Sequence, residues 1–145
     1  INARSAFGTF TMPVTVKWYD HREEIIVFRF EGHWTWKEFH TANEEAGAWA
    51  AQKRDMIDAI FDFEDASSVI PEDVISTGAE LARLSEQLPN QGITVVVSIS
   101  SWLQAIVQVI ITVARTRNLA TARTYSNALG LIEAARQKRL LQDQS

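Results

Sequence analysis

The stretch FDFEDASSVIPED, residues 61–73, sets three carboxylates and two hydroxyls at the end of an apolar run. Asp62, Glu64 and Asp65 are oxygen donors of the kind a magnesium ion takes, usually together with a substrate phosphate. Ser67 and Ser68 are hydroxyls that a kinase could modify. No lysine, glycine-rich phosphate loop or second acidic pair accompanies the acids, however. Carboxylates beside a helix N-terminus are also favourable through the helix dipole alone. The stretch therefore reads as a strand exit and a helix start, with Pro71 at the first helical position. Neither a metal nor a cofactor is expected.

Two other clusters carry groups capable of chemistry. His33, Trp34 and Trp36 stand close in sequence to His40 and Glu44. Thr35 and Glu38 have the spacing of a capping box, and Trp34 with Phe39 that of a hydrophobic staple, so a helix start explains most of this group. His40 and Glu44 form an i, i+4 surface pair. No nucleophile is paired with either histidine, so no catalytic residue is assigned and the chain is not expected to be an enzyme. In SISSW, residues 98–102, hydroxyls meet the free N–H groups of a helix start, an arrangement that can hold an anion. Capping by Ser100 or Ser101 accounts for the same residues. A small ligand, if one binds, belongs beyond the C-terminal ends of parallel strands. The residues expected there are His33, Trp34, Ser67, Ser68, Ser100, Ser101 and Trp102, hydroxyls and helix N-termini beside aromatic surface.

The elements that position these groups follow from periodicity. VTVKW (14–18) alternates as a half-buried strand, and IIVFRF (25–30) is β-branched and aromatic throughout, as a more central strand is. The short polar connection between them predicts an antiparallel hairpin. A helix is expected from Thr35 to about Lys53, a third strand over 56–63, and a helix from Pro71 to Leu88. A fourth strand follows over 93–100, then an apolar helix through WLQAIVQVIITVA (102–114), a short strand in TARTY, and a last helix capped by Ser126. Strands alternating with helices imply parallel crossovers. The predicted fold is α/β: one domain with a mixed, mostly parallel five-stranded sheet, an N-terminal β-hairpin and four helices, in the order β-β-α-β-α-β-α-β-α.

Composition limits the function classes. Hydrophobic residues make up 46% and charged residues 22% of the 145, an ordinary globular balance. With no cysteine there is neither a disulfide nor a thiolate zinc site, which accords with a cytoplasmic protein. INARSAFGTF lacks the apolar core of a signal peptide. Met12-Pro13 looks like a native start, making 1–11 an added leader and 12–145 the domain. Residues 1–100 carry eight Lys/Arg against sixteen Asp/Glu, whereas 101–145 carry six against two. Arg136, Lys138 and Arg139 are too few for a nucleic-acid face and read as a solvated helix end. The 102–114 helix is too short to span a bilayer. It is apolar around most of its circumference apart from Gln104, Gln108 and Thr112, so it is expected to meet neighbouring helices, a second copy of the chain, or an apolar pocket.

Three stretches, IIVFRFEGHWTWKEF, DAIFDFEDASSV and ARTYSNALGLIEAA, resemble the STAS/SpoIIAA-like domains, in particular the SpoIIAA-like branch often grouped with the lipid-binding SEC14 domains. The resemblance covers roughly residues 13–138. It implies a regulatory or protein-interaction module. The anti-sigma-factor antagonists of this fold carry a phosphorylatable serine at the start of the helix after the third strand. Here Ile70, Pro71, Glu72 and Asp73 occupy that place, and a gap that brings in Ser76, Thr77 and Gly78 would put them inside the helix, so the switch motif is missing in its usual form. The leading expectation is a non-enzymatic interaction module, homodimeric through the 102–114 helix or its neighbours, with an unidentified protein partner. The alternative is a carrier of a small apolar ligand or lipid, with a pocket between the long helices and the sheet.

Overall fold

The computed structural model describes residues 12–143, so the leader expected over 1–11 lies outside the described residues. Strand β1 (Val14–Trp18) pairs antiparallel with β2 (Ile25–Gly32), Val14 opposite Phe30 and Trp18 opposite Ile26. Strands β3 (Ile57–Ala66), β4 (Gln91–Val97) and β5 (Leu119–Ala122) continue parallel to β2, giving a five-stranded sheet in the order 1-2-3-4-5. The helices are α1 (Trp36–Ala50), α2 (Val74–Ser85), α3 (Ser101–Ala114) and α4 (Tyr125–Asp143). The architecture is the one predicted.

Strand order explains the layering. Each crossover from β2 to β5 steps in the same direction, so right-handed connections lay α1, α2 and α3 on one face. Ile26, Phe28 and Phe30 pack there with Phe39, Ala42 and Ala46 of α1, and Val96 packs with Leu103 and Val107 of α3. The alternate residues Val27, Ile60, Val95 and Val97 point the other way and are covered by Ala128 and Ile132 of α4. This is the period-2 pattern of strands buried on both faces.

The capping box forms as the spacing implied. Thr35 Oγ1 accepts from the Glu38 N–H at 3.3 Å, and the Thr35 N–H donates to Glu38 Oε1 at 2.9 Å. Two other helix starts differ from expectation. α2 begins at Val74 rather than at Pro71, because Trp36 Nε1 donates to the Glu72 carbonyl at 2.9 Å and Ile70 packs against Leu103 and Val107. Those contacts hold 70–72 as a loop, and Asp73 turns into the helix through a left-handed conformation (φ 59°) without capping it. α4 begins at Tyr125, and Thr124, not Ser126, is its cap: Thr124 Oγ1 accepts from the Asn127 N–H at 3.1 Å.

The basic end of α4 also differs from the solvated reading. Asp58 is fully buried, and its carboxylate accepts from Arg136 Nε at 2.9 Å, from both Arg139 terminal nitrogens at 3.1 and 3.2 Å, and from the Ile93 N–H at 2.8 Å. An unpaired carboxylate there would be costly, so the two arginines are drawn in and fasten α4 to the sheet. Gly92 makes the arrangement fit, since a Cβ at that position would lie 2.1 Å from Asp58 Oδ1.

On α3, Leu103, Val107, Ile110 and Ala114 are buried, whereas Trp102, Val109 and Val113 are 53%, 44% and 46% exposed. Part of the polar stripe turns to the β5 edge, where the Gln104 amide donates to the Ser98 carbonyl at 2.8 Å and the Gln108 amide to Thr121 Oγ1 at 3.5 Å.

Candidate functional site

The face of the sheet beneath α1, α2 and α3 is not filled. Phe61 and Phe63 on β3 and Thr94 on β4 lie on interior strands under helices, where a close-packed core would bury them, yet all three are only half-buried. The cause lies in the helices. α2 runs along α3, hardly touches α1, and has Ala79 as its one buried residue. Gly78 permits that close pairing, since a Cβ there would lie 2.7 Å from Ile110 Cδ1. The side of α1 that faces the gap carries the small residues Ala46, Gly47 and Ala50. Small side chains below and a displaced helix above leave a cavity of about 1080 Å³.

Its two ends differ chemically. Toward the C-terminal ends of the strands the wall is aromatic. Phe30 stacks on Phe63 with ring centres 4.1 Å apart, Trp34 meets Phe30 at 4.9 Å, and Trp34 and Trp36 stand edge to face at 5.2 Å. The Trp36–Glu72 hydrogen bond ties the loop before α2 across this end. Trp34 is 6% exposed, and its indole N–H is the one buried side-chain polar atom without a partner among the described residues. Toward the N-terminal ends of the strands the wall takes in Gln87, Asn90, Gln91 and Asn118.

Of the seven residues expected to surround a ligand, Trp34 lines this cavity and the other six do not. All seven sit at the C-terminal edge of the sheet, as the topology requires. His33 and Ser68 are exposed, and Ser67 Oγ accepts from the Val69 N–H at 3.1 Å in a local turn. Ser100 caps α3, its Oγ accepting from the Leu103 N–H at 3.2 Å, while Ser101 and Trp102 face outward in the first turn.

Two of the acids of 61–73, Asp62 and Asp65, are engaged. Asp62 Oδ2 accepts from the Tyr125 hydroxyl at 2.9 Å and Oδ1 from the Glu64 N–H at 2.9 Å, while Asp65 pairs with Arg29. Burial, reinforced by the Asp62 carboxylate, pushes the Tyr125 phenol well above the ordinary tyrosine range. Among the described residues no group of three or more His, Cys, Asp or Glu is arranged to hold a metal ion, and no helix is long and apolar enough to cross a membrane.

Among solved structures, the chain is similar to an uncharacterized protein of the DUF3478 family with a SpoIIAA-like fold, from Shewanella loihica PV-4. The two share a TM-score of 0.60 and 10% sequence identity, over 86% of this chain and 98% of the other. This chain has a STAS/SpoIIAA-like fold. No protein-family model and no curated protein matches it. Of the residues that shape the cavity, sequence reasoning singled out Trp34 but not Phe61, Phe63, Leu81 or Thr94. Phe61, Phe63, Leu81 and Thr94 are ordinary core types, and the one sign of a hollow was the run of small residues on α1.

Proposed function

We propose that this SpoIIAA-like domain is a non-enzymatic binding module that takes up an apolar small molecule between α1, α2 and the sheet. The observation that carries this reading is the cavity of about 1080 Å³, just above the roughly 300–1,000 Å³ of small-molecule sites. Its wall is apolar over most of its length and places no paired nucleophile and base beside the open space. The route of entry is α2. A helix with a single buried residue belongs to the weakly held part of a fold and opens at less cost than the strands below it.

A second reading, a regulatory module acting through protein contacts, is favoured by a separate observation, the outward apolar stripe of Trp102, Val109 and Val113 on α3. The two readings are compatible, because α3 carries the stripe on one side and packs against α2 on another.

Titration of the refolded chain with the neutral fluorophore N-phenylnaphthylamine tests the first reading. Refolding from denaturant removes any carried-over lipid. Saturable uptake at one site, with a change in emission from Trp34 and Trp36 at the cavity wall, is expected. At a hundredfold excess over the dissociation constant the bound probe stabilises the fold by about 2.7 kcal/mol. Absence of saturable uptake, together with no lipid retained in native mass spectra of the unrefolded chain, would leave the interaction module as the better account.

A further inference from the structure

Charge on the cavity wall is one-sided. The chain has 18 acidic and 14 basic residues, and the hundred residues that build most of the cavity are the acidic part. Yet among the described residues no Asp or Glu lines the cavity, and the charged side chains that do are Lys53 and Arg54. Both follow the C-terminus of α1, at the polar end. Lys53 is already engaged, pairing with Glu23 at 2.5 Å and lying 5.4 Å over the Trp18 ring. Arg54 is exposed and makes no ion pair or hydrogen bond among the described residues. The turn that carries it is nevertheless fixed. The Asn90 side chain donates to the carbonyls of Ala50 and Lys53 at 3.0 and 3.4 Å, and the Ile57 N–H donates to the Asn90 carbonyl at 2.8 Å.

The rest of the wall suits a hydrocarbon chain. Ile57, Ala59, Phe61 and Phe63 of β3 all line the cavity. At about 3.3 Å per residue that span is roughly 20 Å. One leaflet of acyl chains covers about half of a 30 Å bilayer core, so a single chain fits lengthwise.

Resting on the ligand-binding reading above, we infer that the ligand is a long-chain carboxylic acid. Its chain lies along β3 toward Phe63 and Trp34, and its carboxylate meets Arg54 at the mouth. This orientation keeps the anion in the solvated, cationic part of the site, where a guanidinium offers two parallel donors. The reverse orientation would bury the carboxylate among phenylalanines and tryptophans. The C-terminal dipoles of α1 and α2 oppose an anion at this end, and in the absence of ligand Arg54 offsets that field. A purely dipole-related role for Arg54 gives a different experimental result, which the following test separates.

Bound N-phenylnaphthylamine is displaced with oleate or with oleyl alcohol, both below the concentrations at which they aggregate, from the native chain and from Arg54→Gln. Oleate is expected to compete at least tenfold better than the alcohol on the native chain. Arg54→Gln is expected to remove most of that advantage while leaving probe uptake and competition by the alcohol unchanged. Equal competition by acid and alcohol, or an advantage for the acid that survives Arg54→Gln, overturns the inference while leaving an apolar-ligand site standing. Failure of the native chain to take up the probe overturns both.

Discussion

Thr94 provides a direct test of whether the space beneath α2 is open. It lies on interior strand β4, faces the cavity and is half-buried, and its hydroxyl has no hydrogen-bond partner among the described residues. Thr94→Ile keeps the β-branch, replaces the hydroxyl by carbon and adds one more carbon. Each buried methylene is worth about 0.8 kcal/mol, so the substitution should stabilise the fold by about 1–2 kcal/mol. In a close-packed core the same enlargement would cost about 1–3 kcal/mol through forced rotamers and backbone shifts. The two cases differ in sign, not merely in size. Urea unfolding of the ligand-free chain reads the difference. With a slope of about 2 kcal/mol/M, the midpoint should rise by roughly 0.5–1 M. A midpoint lowered by a similar amount would mean that the helices close over the sheet in solution, and the binding proposal would lose its basis.

Other substitutions test other parts of the structure. Asp58→Asn leaves Arg136 and Arg139, whose side chains are 20% and 26% exposed, facing a neutral group. Because the arginines are partly hydrated, a loss near the low end of the 3–5 kcal/mol typical of a broken buried pair is expected in the same urea assay, and a loss below about 1 kcal/mol would contradict the fastening role of Asp58. Since the Tyr125 phenol is raised in the folded chain, its stabilising contribution is complete below the unfolded pKa of about 10 and falls as pH rises beyond it. Stability measured from pH 9 to 11 should therefore decline less steeply in Tyr125→Phe than in the native chain (a range set on the order of the unfolded value), and identical slopes would show that the phenol ionises normally. The exposed stripe on α3 is expected to join two copies of the chain. Sedimentation at tens of micromolar (on the order of a weak dimer's dissociation constant) should show a dimer that Trp102→Glu with Val109→Glu converts to soluble monomer. A native chain already monomeric there would refute the stripe as a self-contact.

The order of elements was legible because each strand and helix carries its own period. VTVKW alternates as an edge strand does, and the Thr35–Glu38 spacing marked a helix start that the backbone adopts. Legibility failed where a residue's role depends on a distant partner. Asp58 sits in an apolar strand and needed a cation, but its partners lie 78 and 81 residues further on and look like an ordinary basic helix end. The Pro71 start failed for a similar reason, since the Trp36 indole holds the loop from outside the segment. The cavity was harder still. An empty space contributes no letters, and Phe61 or Leu81 looks the same in sequence whether its neighbour is another side chain or nothing. The site residues were expected at the crevice outside the strand ends, whereas the carrier alternative placed a pocket between the long helices and the sheet. The large apolar space lies along that sheet face and reaches the strand-end edge at Trp34.

The hollow beneath α2 also makes the fold sensitive to hydrostatic pressure. Compression favours whichever state occupies less volume, and unfolding removes the voids of the folded chain. A cavity of about 1080 Å³ enlarges that volume difference to the extent that water does not fill it. A ligand seated there would replace void with atoms and reduce the difference again. Empty and occupied forms of this domain should therefore differ in barometric stability even where their thermal stabilities are matched by other means. The α4 side of the sheet has a smaller hollow, about 390 Å³ beside Ile132, so compression should loosen the molecule from its α2 side first.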